Sequence, residues 1–368
     1  MPFILSALDV HYLVKELRPL VQDAFVDKVY QGEEEKGDSL LRMRSPRTGK
    51  QQLYVKVPEA LFLTEHRFPW PRQPTGFCMQ LRKHLTNAQL VSVEQHAFDR
   101  IVELVFKKGE KRWTLVIELF SKGNVVFINN EGVIRGVMDL QRWKDRTLRV
   151  NAPYEYPPQQ NDTKTMSLEQ LRERWEENDK ELVKFCATAL GLGGKYAEEL
   201  LSRTTFDKNT KELGKKGSEQ LHAALQALFE EAPRPTTHGE DAAPFPLHTW
   251  KEVEQHPTFS AAIEALVIAE KRDVVDSAAA ASTRTRQDKY DRIIEAQTKK
   301  LDGYKRSAEE NQRKGERIYE CYQELSSLLE KIGELHDRDG WAAVKEHVKE
   351  HKLLVTVDGK SGKLTVDL

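Results

Sequence analysis

Apolar residues at Leu8, Tyr12, Leu13, Leu17, Leu20 and Val21 recur at spacings near 3.6, predicting a helix from Ser6 to about Asp23 with Ser6 or Asp9 as cap. Short β-like runs follow at Phe25–Gln31, Leu40–Arg44, Gln52–Val57 and Phe62–Leu63. The segment FPWPRQPTG then breaks the pattern, because Pro69, Pro71 and Pro74 lack N–H donors and restrict the residues before them. A second helix carries Phe77, Leu81 and Leu85 on one stripe and Arg82, Lys83 and His84 on another face. From Val91 to Val137 the pattern alternates through RIVELVF, RWTLVIELF, KGNVVFINNEG and VIRGVM, with turns at Lys108–Gly109, Lys122–Gly123 and Asn130–Gly132. These runs predict a β-meander or part of a sandwich, closed near residue 160 by the proline-rich NAPYEYPPQQND.

The pattern then turns helical over Leu168–Trp175, Lys180–Leu190, LGLGGKYAEELLSRT and Gly217–Glu231. Ala232–Pro246 holds four prolines in a weakly patterned stretch and reads as a linker, followed by a short helix near Phe259–Ala269. Tyr290, Ile294, Leu301, Tyr304, Ile318, Tyr322, Leu325, Leu329 and Ile332 belong to a stripe alternating spacings of four and three, the signature of a coiled-coil arm. Gln297, Asn311 and Gly315 weaken its middle, so the arm needs a partner helix. Downstream lie only Trp341–Lys349 and the hairpin-like LLVTVDGKSGKLTVDL, and we expect the returning helix of the arm to be missing from this sequence.

Composition narrows the class. A chain of 368 residues exceeds one typical core and implies about two or three domains. With 31% charged residues, 39% apolar residues and a mean hydropathy of −0.63, no window approaches the ~18 continuous apolar residues of a membrane span. We therefore expect a cytoplasmic protein with no membrane partner. Cys78, Cys186 and Cys321 have no paired spacing, which argues against a zinc site or disulfide framework. The net charge is −1, so any nucleic-acid signal must be local.

Local signals exist. Between Lys107 and Arg149 ten basic residues face five acids, and between Arg284 and Arg317 eleven face seven. Trp113, Trp143, Tyr290 and Tyr304 interleave with them, a mixture that suits RNA backbone contact and base stacking, or else ordinary solvated faces. The GLGG turn, with Gly191, Gly193, Gly194 and Lys195, has the form of a helix-hairpin-helix; it either brings bare N–H groups to a phosphate or merely links two helices. Arg100 opens an apolar strand beside Asp99, and with Asp9 it could form a fixed guanidinium–carboxylate fork or a clamp between helix and sheet. P-loop, GxGxxG, HExxH, GxSxG and CxxC motifs are absent, so we expect no enzyme and no cofactor. One enzymatic alternative is a DNA glycosylase using Pro2 as amine nucleophile, although residue 3 is Phe and the cysteines cannot build the zinc finger such enzymes carry.

LSALDVHYLVKEL, FVDKVYQ, FPWPRQPTGFCMQLRKHL, HAFDRIVELVF, ELFSKGNVVFINNEGVI, ALGLGGKYAEELLSR and KGERIYECYQELSSLLEKI occur in one order across nearly the whole chain. In that order they resemble the NFACT-type ribosome quality-control factors, which include bacterial RqcH and the eukaryotic nuclear export mediator factor; the pattern is similar to an archaeal or eukaryotic-type member. The resemblance implies an α+β chain: a glycosylase-like NFACT-N domain over 1–160, a helix-hairpin-helix domain over 161–232, a linker and short helix over 233–270, a coiled-coil arm over 271–335, and a small middle-domain segment with a terminal β-hairpin over 336–368. It implies binding to large ribosomal subunits obstructed by a peptidyl-tRNA, recruitment of alanyl-tRNA, and untemplated C-terminal tailing with bond-making left to the ribosome. It assigns Asp9, Asp99 and Arg100 to tRNA contact, to which we add Arg82, Lys83 and His84 of the second helix's basic face as candidates, and it admits a ubiquitin ligase as partner, which leaves a coiled-coil scaffold for such a ligase as a third reading. DNA is not an implied partner. The family's C-terminal RNA-binding part has no counterpart in this sequence.

Overall fold

A computed structural model describes residues 3–32, 37–143, 146–158, 162–348 and 354–367, with backbone alone at 271–289, 348, 354 and 355. Pro2 lies outside the described residues, as do Lys144 and the side chains of Arg284, Arg286 and Lys289, which belong to the two basic runs counted above. The chain divides into two compact units, Met1–Asp273 and Val274–Leu368.

Helix α1 (Ala7–Val21) begins at a capping box: Ser6 Oγ accepts the Asp9 N–H at 3.2 Å while the Asp9 carboxylate accepts the Ser6 N–H at 2.9 Å. After it, β1 (Phe25–Gln31), β2 (Asp38–Ser45), β3 (Gly49–Lys56) and β4 (Ala60–Leu63) form an antiparallel meander. Helix α2 (Gly76–Leu85), capped by Thr75, leads to a second meander of β5 (Gln89–Gln95), β6 (Ile101–Lys108), β7 (Lys111–Glu118), β8 (Asn124–Asn129) and β9 (Ile134–Val137). The order is β4-β3-β2-β1-β5-β6-β7-β8-β9, and the meanders meet through a single register pair, Phe25 with Gln89. A short hairpin, β10 (Gln141–Arg142) and β11 (Thr147–Leu148), brings Leu148 and Tyr154 over Ile101, Val116 and Val126 of the outer face. There the buried Glu118 accepts hydrogen bonds from Arg146 and from the Tyr154 hydroxyl.

The remaining helices of this unit are α3 (Leu168–Glu176), α4 (Leu182–Lys184) running into a π-helical turn at Phe185–Ala189, α5 (Gly193–Ser202) and α6 (Lys215–Glu230). They share a core of Leu171, Trp175, Phe185, Leu200, Leu221 and Leu228. Sheet and helices are joined by α1. Its Val10, Leu13, Val14, Leu17 and Val21 enter the sheet core, whereas Ala7, Leu8 and Tyr12 enter the helical one. The Tyr12 hydroxyl donates to the Leu228 and Glu231 carbonyls at 2.8 and 3.1 Å, satisfying acceptors that the end of α6 leaves unpaired.

The expected linker is instead packed structure. Strands β12 (Thr236–His238), β13 (Asp241–Ala243) and β14 (Glu254–Gln255) form a small sheet in the order β13-β12-β14, and Phe245 and Leu247 are buried in the helical core. Proline enrichment misled because Pro244 and Pro246 flank the buried Phe245, so they stiffen an anchored strap. The short helix predicted next is the start of α7 (Phe259–Glu320), whose Phe259, Ala262, Ile263 and Val267 lie in the sheet core and whose first amides, of Phe259 and Ser260, donate to Glu16 at 2.6 and 3.0 Å.

In the second unit α7 is followed at Cys321 by α8 (Tyr322–Val348), which turns sharply at Gly340 (φ 74°, ψ −177°), a backbone region that only glycine enters cheaply. Strands β15 (Leu354–Asp358) and β16 (Lys363–Val366) form the predicted terminal hairpin. Tyr290, Ile294, Leu301 and Tyr304 of the predicted seam are exposed. Near its end the stripe is only partly kept: Ile332, on the stripe, is buried with Val344 beside Trp341, but so is Leu328, which lies off it, while Leu329, on it, is exposed.

Two measurements probe this arrangement. Phe245→Ala is expected to cost about 3–5 kcal/mol in urea denaturation, whereas a substitution in a true linker leaves the midpoint unmoved. His11, packed edge-on against Phe229 at 5.6 Å, has its pKa lowered to about 4 by burial and by the Lys164 and Lys15 charges, against an opposing pull from Asp162. Because the folded value lies below the ordinary 6.5, the unfolded chain takes up the proton first, and stability is lost as pH falls from 6.5 toward 4. His11→Gln is expected to flatten that part of a Tm-against-pH profile.

Candidate RNA-binding cleft

Three chain segments far apart in sequence converge on a cleft of about 930 Å³: the approach to α1 (residues 3–7), the β5–β6 turn (residues 96–100), and the glycine hairpin before α5 (residues 191–195). Glu240 and Asp241, from the β12–β13 turn, complete the rim. The predicted Asp99, Arg100, Gly191, Gly193, Gly194 and Lys195 thus meet at one place.

The β5–β6 turn is held by its third residue. Phe98 is buried in the helical core and packs edge-on against Phe229 at 5.1 Å, so the next two side chains sit at the cleft. Gln95 Nε2 donates to the Ala7 and Asp99 carbonyls at 2.8 and 2.9 Å, tying the turn to α1. The Arg100 N–H donates to Asp99 Oδ1 at 2.7 Å. Arg100 is half-buried, and its guanidinium makes no hydrogen bond or ion pair with any described residue. Burial presses its pKa down and Asp99 partly offsets that, but a guanidinium keeps its charge. A partly desolvated cation without an internal partner favours an anion in the cleft.

The hairpin offers the complementary donors. Gly191 (φ 68°) turns the chain out of the π-helical turn, and buried Leu192 plugs it into the core. Leu192, the N-cap of α5, supplies no side-chain acceptor, so the first amides of the helix have no side-chain cap at the cleft wall. Gly194 is informative: its φ is not positive and an added Cβ meets nothing within 4 Å, so neither conformation nor packing demands glycine. A bare backbone there leaves room for a ligand's approach.

Asp9 does not line the cleft. It is fully buried beneath it, where Oδ2 accepts from the Ser6 N–H and hydroxyl at 2.9 and 2.8 Å and Oδ1 accepts from the Tyr196 hydroxyl. Lys195 Nζ lies 3.2 Å from Asp9 Oδ2, 3.0 Å from Asp241 Oδ1 and 2.7 Å from the Ala242 carbonyl, with the rings of Tyr196 and Phe3 at 5.0 and 5.7 Å. The fork expected of Asp9 and Arg100 is therefore not formed, and the Lys195 ammonium is spent on carboxylates inside the protein. This lock joins α1, α5 and β13, the elements that set the cleft's walls. Burial and the Asp9 charge raise the Tyr196 pKa well above its ordinary value, so the phenol stays a donor.

The other predicted residues lie elsewhere. Arg82 Nε donates to the Val29 carbonyl at 2.7 Å, Lys83 is exposed, and His84 packs on Trp113 at 4.4 Å with its pKa lowered by burial and nearby lysines. A helix face groups these three by spacing, but the fold carries α2 away from the cleft. Sequence reading missed Tyr196, Asp241 and His96. The last stacks flat on Tyr156 (3.7 Å, 4°) and shares Glu103 with it. Tyr196 adjoins the GLGGK signal, whereas Asp241 sat in the supposed linker and gave none.

Residues 6–363 match the family described as NFACT N-terminal and middle domains. The archaeal Rqc2 homolog aRqcH of Methanocaldococcus jannaschii is 28% identical over 366 residues, 95% of this chain and 54% of that protein. The ribosome quality control complex subunit 2 of Saccharomyces cerevisiae is 34% identical over 138 residues, 38% of this chain and 13% of that protein. The chain thus spans about half the length of the archaeal relative. In fold, it is similar to the N-terminal part of the fibronectin/fibrinogen-binding protein of Streptococcus suis (TM-score 0.60, 23% identity, 73% of this chain and 99% of that one).

The lock is testable by denaturation. Lys195→Met strands a buried carboxylate and is expected to cost about 3–5 kcal/mol, and Tyr196→Phe about 1.5–3 kcal/mol. Asp9→Asn combined with Lys195→Met is expected to cost clearly less than the sum of the two single changes; strict additivity would sink the pairing.

Proposed function

The chain belongs to the NFACT family, matching its N-terminal and middle domains over residues 6–363, and from that premise we propose that it works in ribosome-associated quality control as a tRNA-binding factor. On this reading it engages large ribosomal subunits obstructed by a peptidyl-tRNA and recruits a tRNA, alanyl-tRNA by family resemblance, for untemplated extension of the stalled chain. The names of the archaeal and yeast relatives support the ribosomal setting.

The observation that carries the reading is the unpartnered Arg100 guanidinium in the same cleft as the uncapped amides of α5. Both are donors waiting for an anion, and a phosphodiester backbone supplies a row of them. The GLGG segment then acts as a helix-hairpin-helix. Asp9 acts at one remove by holding the hairpin against α1. Such a site positions RNA by charge and shape without a proton-transfer pair of its own, so the chain serves as a recruiter and the ribosome makes the bond. The place of work is the cytoplasm. The exposed stripe of α7 supports a paired arm, with a helix of the longer relatives or a ubiquitin ligase on its apolar face.

Arg100→Ala is expected to weaken tRNA binding about 10-fold or more, the range for a charge-assisted contact, and to make the salt dependence of affinity shallower by roughly one phosphate contact. Fluorescence anisotropy with labelled tRNA across a salt series reads both. Unchanged affinity and slope, with the thermal midpoint retained, would return Asp99–Arg100 to a purely structural role.

A further inference from the structure

The proline-flanked segment of residues 68–71 contributes nothing to the cleft described above, yet it builds a second one. This cleft, about 960 Å³, lies between the open surface of β1–β3 and the first turn of α7, and its lining includes Tyr30, Phe68 and Trp70. Tyr30 and Trp70 stack at 5.8 Å and 29°. Behind them the fully buried Tyr54 meets Phe68 at 4.4 Å and Trp70 at 5.9 Å, with its hydroxyl fixed on Asp38 at 2.5 Å. Pro69 and Pro71 lock φ on either side of Trp70, so the aromatic surface is ordered before any ligand arrives.

Around this surface cations and carboxylates alternate: Arg42, Lys50 and Arg67 line the cleft together with Glu16, Glu65 and Glu264. Lys28 and Arg42 approach the Tyr30 ring at 5.2 and 5.7 Å, and Lys50 and Arg67 line the cleft. Of these only Arg42 is paired, with Asp27 at 2.8 Å; Lys28, Lys50 and Arg67 make no ion pair with any described residue. Two of the three acids are turned to protein donors, Glu16 to the Phe259 and Ser260 amides and Glu264 to the Thr64 hydroxyl, and the third, Glu65, is exposed at the rim, so the anion-seeking groups are the individual cations without ion pairs.

A cationic ligand is disfavoured, because cations already face the ring. An acidic peptide would satisfy the charges and leave the flat aromatic surface unused. An unpaired nucleotide satisfies both, with a π-face for Trp70 and a phosphate for the free cations. We propose that this cleft is a second nucleic-acid contact, one that takes an unpaired nucleotide with its base on Trp70 and its phosphates toward Lys50 and Arg67. The strand is RNA if the ribosomal setting above holds; the chemistry of the cleft does not depend on it.

Binding of a labelled 12-nucleotide oligoadenylate to the whole chain, followed by anisotropy in an Arg100→Ala background, separates this cleft from the first. Trp70→Ala is expected to weaken binding at least about fivefold, and Trp70→Phe to retain most of it. Lys50→Glu and Arg67→Glu, both at exposed positions, are each expected to make the salt slope shallower by about 0.7. Binding of a blunt-ended RNA duplex is expected to be indifferent to Trp70→Ala, since its base faces are stacked within the helix. Unchanged oligoadenylate affinity in both Trp70→Ala and the charge reversals overturns the proposal. So does binding of polyglutamate in preference to oligoadenylate, which would make the cleft an acidic-peptide site. Loss of tRNA binding in Arg100→Ala with oligoadenylate binding intact leaves the second cleft standing alone.

Discussion

A buried carboxylate holds the globular unit together. Asp9 is removed from water and remains tolerable because Ser6, Tyr196 and Lys195 surround it with donors and a cation. Ser6 is the cap of α1, Tyr196 and Lys195 stand in the first turn of α5, and Lys195 reaches on to Asp241 of β13. A group that is costly to bury unless satisfied is a strong constraint on geometry. It admits only arrangements in which all these elements meet, and the cleft above it inherits that definition.

The two faces of α1 extend the same constraint. Because one helix supplies residues to both cores, the sheet and the helical segment cannot be separate modules. Tyr12 adds a polar tie to the end of α6, and Phe245, edge-on to Tyr12 at 5.3 Å, brings in the strap that follows. The cleft is thus framed by elements whose relative placement is over-determined by packing. That framing lets the turn Phe98–Asp99–Arg100, anchored by its buried Phe98, present a guanidinium at a defined point.

The two clefts suggest a division of labour. The first joins helix-terminal amides to one unpaired guanidinium and suits a backbone phosphate. The second joins stiff aromatic rings to free cations and suits a base with its phosphate. Each sets cations without ion pairs among acidic neighbours on a chain whose net charge is −1, so attraction for an anion is local to those side chains instead of spread over the molecule.

Much of the local structure was legible in the chain. The α1 stripe, the Ser6–Asp9 cap, the alternating strands and the glycine turns depend on neighbours within a few residues, so periodicity and spacing expose them. The strap at 236–247 was not legible, because its burial rests on the helical core and on Tyr12, the latter more than two hundred residues away in sequence. At the end of the arm stripe Leu328 took the buried place expected of Leu329 for a related reason: it packs with Ile332 and Val344 once the chain turns at Gly340, and heptad spacing carries no information about that turn. Sequence alone determined that Ser6 or Asp9 caps a helix, that Asp99 and Arg100 stand at the mouth of an apolar strand, and that the chain turns on glycines from Gly191. Only the tertiary structure decided that Asp9 is sealed inside with Lys195 and Tyr196 while Arg100 is left unpaired beside the hairpin. Which distant charges neutralise one another is settled by packing, and spacing along the chain does not encode it.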